Sequence, residues 1–153
     1  MAPITLWGPA TWEFFHTSIA KIKDEHFKSV GPQLFAYIMR ICNNLPCPSC
    51  TQHAKFYMGK LLKNTSFLSN KQLFINAIYI FHNEVNKRTF KKMFNVEDLG
   101  KYNKMQLINT FNKFSKHFHS DGSIALISEN FHRRRLVGEL KKWLLININK
   151  FDS

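Results

Sequence analysis

The chain has 153 residues, a length that fits one domain and lets that domain bury a core of its own. Hydrophobic residues make up 44% of the sequence, with 15 Phe and 3 Trp, which excludes a disordered protein and predicts an interior rich in aromatic rings. The formal net charge is +12 at pH 7, which indicates either an acidic or phosphate-bearing partner or a basic surface that is simply solvated.

The cysteines and the N-terminus bear on the cellular compartment. Three cysteines are an odd and low number, which argues against a secreted disulfide scaffold. One of them, Cys42, is interpreted as a small buried hydrophobic residue, while a resolving or intermolecular role stays open. The N-terminus lacks the pattern of a signal peptide, and no apolar stretch reaches the roughly 18 residues of a membrane span. These features predict a cytoplasmic or virion-associated protein that is not secreted.

Helical periodicity runs through the chain. No alternating run of β-branched residues appears in its first two thirds, so the sequence predicts an all-α fold and excludes the thioredoxin fold, which needs a sheet. Gly-Pro pairs are expected to break the chain just before the first and second helices, and a proline suits the start of the third. The helices are predicted over about residues 9–23, 33–44, 47–63, 71–88, 104–119 and 128–149, with a Ser-Asp-Gly-Ser break between the last two.

The last predicted helix is amphipathic. Leu140 belongs to an apolar stripe that lies opposite basic residues, which include Arg133 and Lys142. The C-terminal helices are expected to pack on the core or on a second subunit. Binding of an acidic protein, a nucleic acid or an anionic lipid through the basic face is the alternative.

Two helical faces carry side chains that the fold alone does not require. Trp12 and His16 lie one turn apart in the first helix, where they are interpreted as aromatic core or as a binding surface. Near the end of the fourth helix, His82, Asn83 and Asn86 share one strip, although His and Asn are poor helix formers. This strip is interpreted either as a solvated helix end or as a site for a planar heteroaromatic ligand.

A pair of cysteines stands at the predicted start of the third helix. One helical turn brings Cys47 and Cys50 within bonding distance of each other. The free N–H groups at a helix N-terminus also stabilise a thiolate, so the pair predicts reversible disulfide chemistry. The same spacing occurs in zinc sites and in thioredoxin-like proteins. His53 follows three residues after Cys50 and shares its helical face.

In chain order the motifs are W-G-P-x-x-W-x-x-x-H, C-P-x-C-x-x-H and H-N-x-V-N-x-x-x-x-K. Together they resemble the Erv/ALR family of FAD-dependent sulfhydryl oxidases over residues 7–102. The chain is most similar to the short forms carried by large cytoplasmic DNA viruses. The resemblance implies an Erv-type bundle of four helices plus a short fifth, which holds FAD without a covalent bond. The predicted division is an oxidase core at 1–102 and a helical extension at 103–153.

The resemblance also assigns residues to the cofactor. Side chains of the first motif would pack against the flavin or hydrogen-bond to it, and those of the third motif would line the adenine and ribose. Lys91 would stand near the pyrophosphate, and Arg88 and Lys92 are also available, since the sequence has no glycine-rich phosphate loop. The residues assigned to FAD are Gly8, Trp12, His16, His53, His82, Asn83, Val85, Asn86, Arg88, Lys91 and Tyr102. No metal ligand is assigned.

Catalysis is assigned to the cysteine pair. A substrate dithiol is expected to attack Cys47, the first and more exposed sulfur, which releases Cys50 as a thiolate. The resemblance implies that Cys50 is the sulfur beside the flavin and passes two electrons to it. It also implies that molecular oxygen takes up these electrons and forms hydrogen peroxide.

The resemblance implies partners as well. Many members of the family carry a second, mobile cysteine pair, but this sequence has only Cys42 besides the redox pair. A thiol-bearing substrate or shuttle protein is therefore expected, thioredoxin-like or with its own C-x-x-C, which docks on the basic surface. The protein is expected to be a homodimer, as family members commonly are, in the viral factory or virion of a large DNA virus.

Two rival functions remain at this point. The first is a zinc-binding interaction module that uses Cys47, Cys50, His53 and His82. The second is a basic helical protein that binds nucleic acid. Either rival leaves the W-G-P and H-N-x-V-N motifs without a reason, so the oxidase interpretation is favoured.

Overall fold

The computed structural model describes residues 4–118 and 127–153, without the side chains of residues 127–129. These parts of the chain contain α-helices and short 3-10 segments but no β-strand, which confirms the all-α fold. The helices are α1 Ile4–Lys21, α2 Phe27–Cys42, α3 Pro48–Leu62, α4 Lys71–Arg88, α5 Leu107–Phe118 and α6 Ile127–Ile146. The longest 3-10 segment, Val96–Lys104, follows α4. The predicted break at 120–123 lies outside the described residues.

The starts of α3 and α4 agree with the predicted ones. Cys47 is the N-cap of α3 and Pro48 its first residue, where a missing N–H removes no helical hydrogen bond. Asn70 caps α4, since its Oδ1 accepts a hydrogen bond from the backbone N–H of Leu73 at 2.9 Å.

The starts predicted for the first two helices are wrong. The described part of α1 already begins at Ile4 and α2 begins at Phe27, so Pro9 and Pro32 lie inside helices. Each proline stands in the second turn, where it removes one backbone hydrogen bond and the helix continues. Gly31 has a packing role, because a Cβ there would lie 2.8 Å from the Phe27 ring.

The helices share one core. Phe14 of α1 packs against the Phe111 and Phe114 rings of α5, at centroid distances of 5.8 and 5.2 Å. Leu140 of α6 is fully buried in the same cluster. None of the helices in the described ranges is both long and apolar enough to cross a bilayer.

The position of Arg133 corrects the interpretation of α6. Only 5% of this residue is exposed, so it lies on the buried side of the helix rather than on a basic outer face. Its Nη1 donates to the backbone oxygen of Asn44, in the segment between α2 and the cysteine pair, at 3.5 Å. Lys142 is exposed, as predicted.

Candidate active site

A cavity of about 360 Å³ lies where α1, α3 and α4 meet the segment Val96–Lys104. This volume is within the range of roughly 300–1,000 Å³ that is usual for ligand sites. Each of the three sequence motifs contributes to its wall, through Trp12, Cys50 and His82. The fold therefore brings together side chains that are far apart in the sequence.

The two cysteines form a disulfide at one end of this cavity, with their Cα atoms 5.2 Å apart. The Sγ of Cys47 accepts a hydrogen bond from the backbone N–H of Cys50 at 3.3 Å and lies 3.4 Å from the Oγ of Ser49. Cys50 lines the cavity, whereas Cys47 is not part of its lining. One cysteine of the pair thus lines the cavity, and the other lies outside the lining.

Four rings pack together beside the cavity. The Trp12 and His82 rings are nearly parallel, with centroids 4.1 Å apart and an interplanar angle of 7°. His16 lies beside both rings, since its centroid is 6.1 Å from that of Trp12 and its Nε2 is 2.9 Å from His82 Nδ1. Tyr102 stacks on His16 at 4.7 Å. Trp12 is therefore part of the cavity wall, and His16 is part of the buried interior next to it.

The two histidines are neutral at physiological pH. Burial, the neighbouring His82 and the charge of Lys101 lower the pKa of His16 to about 3. Burial, Lys101 and Lys91 lower the pKa of His82 to about 4. With both rings uncharged, one N–H can donate to the other ring's lone pair, and the tautomer decides which. Positive charge at the cavity is therefore carried by the lysines and Arg88, not by the imidazoles.

The chemistry of the lining fits a flavin dinucleotide. Arg88, Lys91 and Lys101 supply cations for a pyrophosphate, and the aromatic rings supply flat surfaces for stacking. The lining includes one carboxylate, that of Glu13, which forms an ion pair with Lys113 at 3.0 Å.

Most of the residues assigned to FAD line this cavity: Gly8, Trp12, His82, Val85, Asn86, Arg88, Lys91 and Tyr102. A Cβ on Gly8 would meet only Ile4 Cγ1, at 3.7 Å. The surrounding protein therefore does not require glycine at this position of the wall.

The remaining assigned residues lie elsewhere. His16 is buried behind His82, and His53 lies on the exposed side of α3. The Asn83 side chain is used internally, since its Nδ2 donates to the backbone oxygen of Phe94 at 2.9 Å and its Oδ1 accepts from the Phe94 N–H at 2.7 Å. A direct contact of these three residues with FAD stays a prediction.

Phe94 and Lys101 are among the lining residues that were not predicted from the sequence. Both belong to the stretch between α4 and α5, which shows no helical period in the sequence. The Lys101 Nζ lies 5.3 Å from the centre of the Phe94 ring. An aromatic residue close after the basic Lys91 and Lys92 is the only sequence signal that points to this stretch.

Cys42 also reaches the cavity wall. It is 1% exposed, as predicted for a small buried residue, and burial raises the pKa of its thiol to about 12. A thiol with such a pKa is inert at neutral pH, which speaks against an exchange role for Cys42 in this conformation.

The residues of the rival zinc module do not converge. Cys47 and Cys50 are bonded to each other, His53 is exposed, and His82 stacks on Trp12. Within the described part of the chain, no group of three or more His, Cys, Asp or Glu residues is arranged to hold a metal ion.

Comparison with known proteins adds an independent line of support. The model of the Erv1 / Alr family matches residues 9–119. The FAD-linked sulfhydryl oxidase of African swine fever virus (isolate Tick/Malawi/Lil 20-1/1983) is 30% identical over 104 residues, which are 68% of this chain and 85% of that protein. The putative FAD-linked sulfhydryl oxidase 347L of Invertebrate iridescent virus 6 is 30% identical over 92 residues, 58% of this chain and 83% of that protein. No solved structure gives a significant match. The chain belongs to the Erv1/Alr family.

Proposed function

We propose that the chain is an FAD-dependent sulfhydryl oxidase that forms disulfide bonds in substrate proteins. The observation that carries this proposal is the position of the cysteine pair, with Cys50 in the wall of a cavity built from aromatic and cationic side chains and Cys47 outside it. Family membership and the names of the viral relatives support the same function.

The lining residues divide into two groups by chemistry. Trp12 and His82 present flat rings on which the ring systems of FAD would stack. Arg88, Lys91 and Lys101 would neutralise its pyrophosphate. When bound, FAD supplies an acceptor for two electrons, which it passes to molecular oxygen with formation of hydrogen peroxide.

The first half of the reaction is a thiol–disulfide exchange on this chain's own sulfurs. A substrate thiolate attacks the Sγ of Cys47, a substrate–Cys47 disulfide forms, the Cys47–Cys50 bond breaks, and Cys50 leaves as a thiolate. A second substrate thiolate then attacks the substrate sulfur of this mixed disulfide and releases Cys47. The substrate has lost two electrons, and the reduced pair holds them.

The helix start favours the second exchange, in which Cys47 is the leaving group. The backbone N–H of Cys50 points at the Sγ of Cys47, and the N-terminus of α3 stabilises negative charge on sulfur. Cys50, released on the cavity side, lies where the electrons are needed. Each sulfur therefore has one role, Cys47 toward substrate and Cys50 toward the cofactor.

The finer parts of the proposal concern partners and place. A thiol-bearing protein with its own C-x-x-C is the substrate or shuttle, because the cysteine outside the redox pair, Cys42, is buried. The viral origin of the relatives supports a role in the factory or virion of a large DNA virus. We extend the proposal to a homodimer, which sedimentation of the FAD-loaded protein tests directly.

The experiment that tests the proposal replaces Cys50 with Ser. The purified wild-type chain, supplied with FAD, is expected to be yellow and to consume oxygen with dithiothreitol. The variant C50S is expected to keep the flavin spectrum but to lose turnover. The variant L145A is the control, since Leu145 is an exposed residue of α6 that does not line the cavity, and its turnover should persist. A wild-type chain that stays colourless with added FAD contradicts the function.

A further inference from the structure

Helix α3 carries the redox pair but buries little of its surface. Ala54 and Met58 are its buried residues, and Ala54 lines the cavity together with Cys50. The opposite side of the helix is a strip of exposed residues that recur every three or four positions. We call this the α3 strip; it consists of Ser49, Gln52, His53, Phe56, Lys60 and Lys63.

The α3 strip has an aromatic side chain at its centre. Phe56 is 67% exposed, and the Lys60 Nζ lies 4.6 Å from the centre of its ring. A phenyl ring that is mostly exposed buries little apolar surface within this chain, whereas aromatic residues are frequent anchors of protein interfaces. The ammonium group of Lys60 could bind a carboxylate of the partner while its methylene chain packs on the Phe56 ring.

The surroundings of the α3 strip are basic. The sequence has no Asp or Glu between His26 and Asn83. A carboxylate on α4, that of Glu84, acts on Tyr57, but Tyr57 is not part of the strip. An approaching partner therefore meets positive charge from Lys60 and Lys63 around an apolar ring.

We propose that the α3 strip is the docking surface for the substrate of the oxidase, and that this substrate is an acidic protein segment with an apolar side chain next to its dithiol. The inference rests on the proposed function. The strip begins at Ser49, whose Oγ lies 3.4 Å from the sulfur of Cys47. A segment that lies along the strip is thus led to the sulfur that it must attack.

The size of the surface fits a substrate that must leave again. From Ser49 to Lys63 the helix rises by about 21 Å, which a short segment can cover. Redox encounters commonly bury less than about 1,200 Å² in total. Docking there also leaves the cavity untouched, because Cys50 and Ala54 face it from the other side of the helix.

The test uses two reduced peptides with the same C-x-x-C and the same flanking leucine, one with Glu residues around this centre and one with Lys. The rate with dithiothreitol, which needs no docking, serves as the reference for each variant. With wild-type protein the Glu peptide should have the higher kcat/KM, and added salt should reduce the difference.

K60E should lower kcat/KM for the Glu peptide, relative to dithiothreitol, by about threefold to tenfold. F56A should lower it for both peptides by about fivefold.

The matched controls are K142E and I146A on α6, which change an exposed lysine and an exposed apolar residue away from the redox pair. If K142E lowers kcat/KM for the Glu peptide as much as K60E does, the effect comes from net charge alone and the docking proposal is wrong. The docking proposal is equally wrong if K60E and F56A have the same kcat/KM for both peptides, relative to dithiothreitol, as the wild type.

Binding gives a readout that does not depend on the reaction. Fluorescent peptides with Ser in place of both Cys are titrated with the disulfide form of the protein, and anisotropy is followed. The Glu peptide should bind, and K60E and F56A should weaken it. The two proposals can therefore fail separately. A wild-type protein that does not oxidise dithiothreitol refutes the oxidase function, whereas the peptide titration tests docking on the α3 strip without any reaction. Anionic vesicles or single-stranded DNA that bind the strip in place of the Glu peptide would overturn the assignment.

Discussion

The two sulfurs of the redox pair, three residues apart, have different neighbours. Cys50 shares the cavity wall with Trp12 and His82, whereas Cys47 has the N–H groups at the start of α3 and the hydroxyl of Ser49. A proline between them suits the first turn of the helix and fixes the backbone there. In the proposed oxidase, this asymmetry would let one pair serve a protein substrate on one side and a cofactor on the other.

The neighbouring histidines His16 and His82 make the stability of the chain depend on pH. Burial holds the pKa of His16 at about 3 and that of His82 at about 4, below the value of 6.5 for an exposed imidazole. Between pH 6.5 and about 4 the unfolded chain therefore binds protons that the folded chain does not. The contribution of these two neutral histidines to the free energy of unfolding should have its full value above pH 6.5. It should fall as the pH drops through this window, by about 1.4 kcal/mol per pH unit for His16.

Denaturant titrations across this window measure the slope, and H16Q supplies the comparison. Glutamine can still hydrogen-bond to His82 but takes up no proton. The free energy of unfolding of H16Q should fall less per pH unit than that of the wild type. The difference between the two slopes should be the contribution of His16 alone. Equal slopes for the two proteins would mean that His16 is protonated in the folded chain or that carboxylates control the acid transition.

Cavity residues could be predicted from the sequence where a motif marks them, but not where only the fold brings them to the cavity. Trp12, Cys50 and His82 are parts of motifs, and each lies at the cavity. Phe94 and Lys101 reach it because the chain turns back after α4, and Asn83 holds that turn through two hydrogen bonds to Phe94. Such a return is a tertiary contact with no local period, so helical periodicity does not predict it.

At the level of helices, the capped starts were predictable and the starts that contain Gly-Pro were not. Asn70 and Cys47 accept hydrogen bonds from backbone N–H groups near the start of their helices, a local rule that the sequence shows. Gly31 and Pro32 look like a break, but the Phe27 ring needs the space that glycine leaves. The start of α2 therefore depends on packing that only the folded chain contains.

The end of α4 offers a sharp test at this scale. Phe90 has φ of 58°, the left-handed region that glycine adopts without cost, and its ring is 96% exposed. The Lys91 N–H bonds to the oxygen of Asn86 at 2.8 Å, as in a helix end that usually carries glycine. F90G should be about 0.5–1 kcal/mol more stable than F90A, because both lose the exposed ring but only glycine relieves the backbone strain.

Thermal unfolding of the two variants, followed by circular dichroism, gives the comparison directly. The helical content of both should equal that of the wild type, since the ring makes no contribution to the core. If F90A is as stable as F90G, the left-handed conformation at this position costs nothing. The turn that leads Lys91 back to the cavity would then be set by other contacts.

For the whole molecule, the question is whether the C-terminal helices form one cooperative unit with the rest. The boundary at 102 stays a prediction, drawn from where the motifs end. Packing argues for close dependence, since α6 contacts α2 through the Arg40–Glu139 ion pair at 2.7 Å and the Trp143–Gln33 hydrogen bond at 2.7 Å. Arg133 adds a contact with the segment that leads to the redox pair.

A substitution far from the cavity can decide between these views. Leu140 is fully buried in the shared core, so L140A should lower the free energy of unfolding by about 2–5 kcal/mol. L145A is the control, because Leu145 is 55% exposed and its truncation should cost little. If the helices form one unit, L140A should lower the midpoint of flavin release and the midpoint of helix loss by the same amount. A variant that loses helix at low temperature yet releases flavin at the wild-type midpoint would instead make α6 a separate unit and place its boundary within the extension.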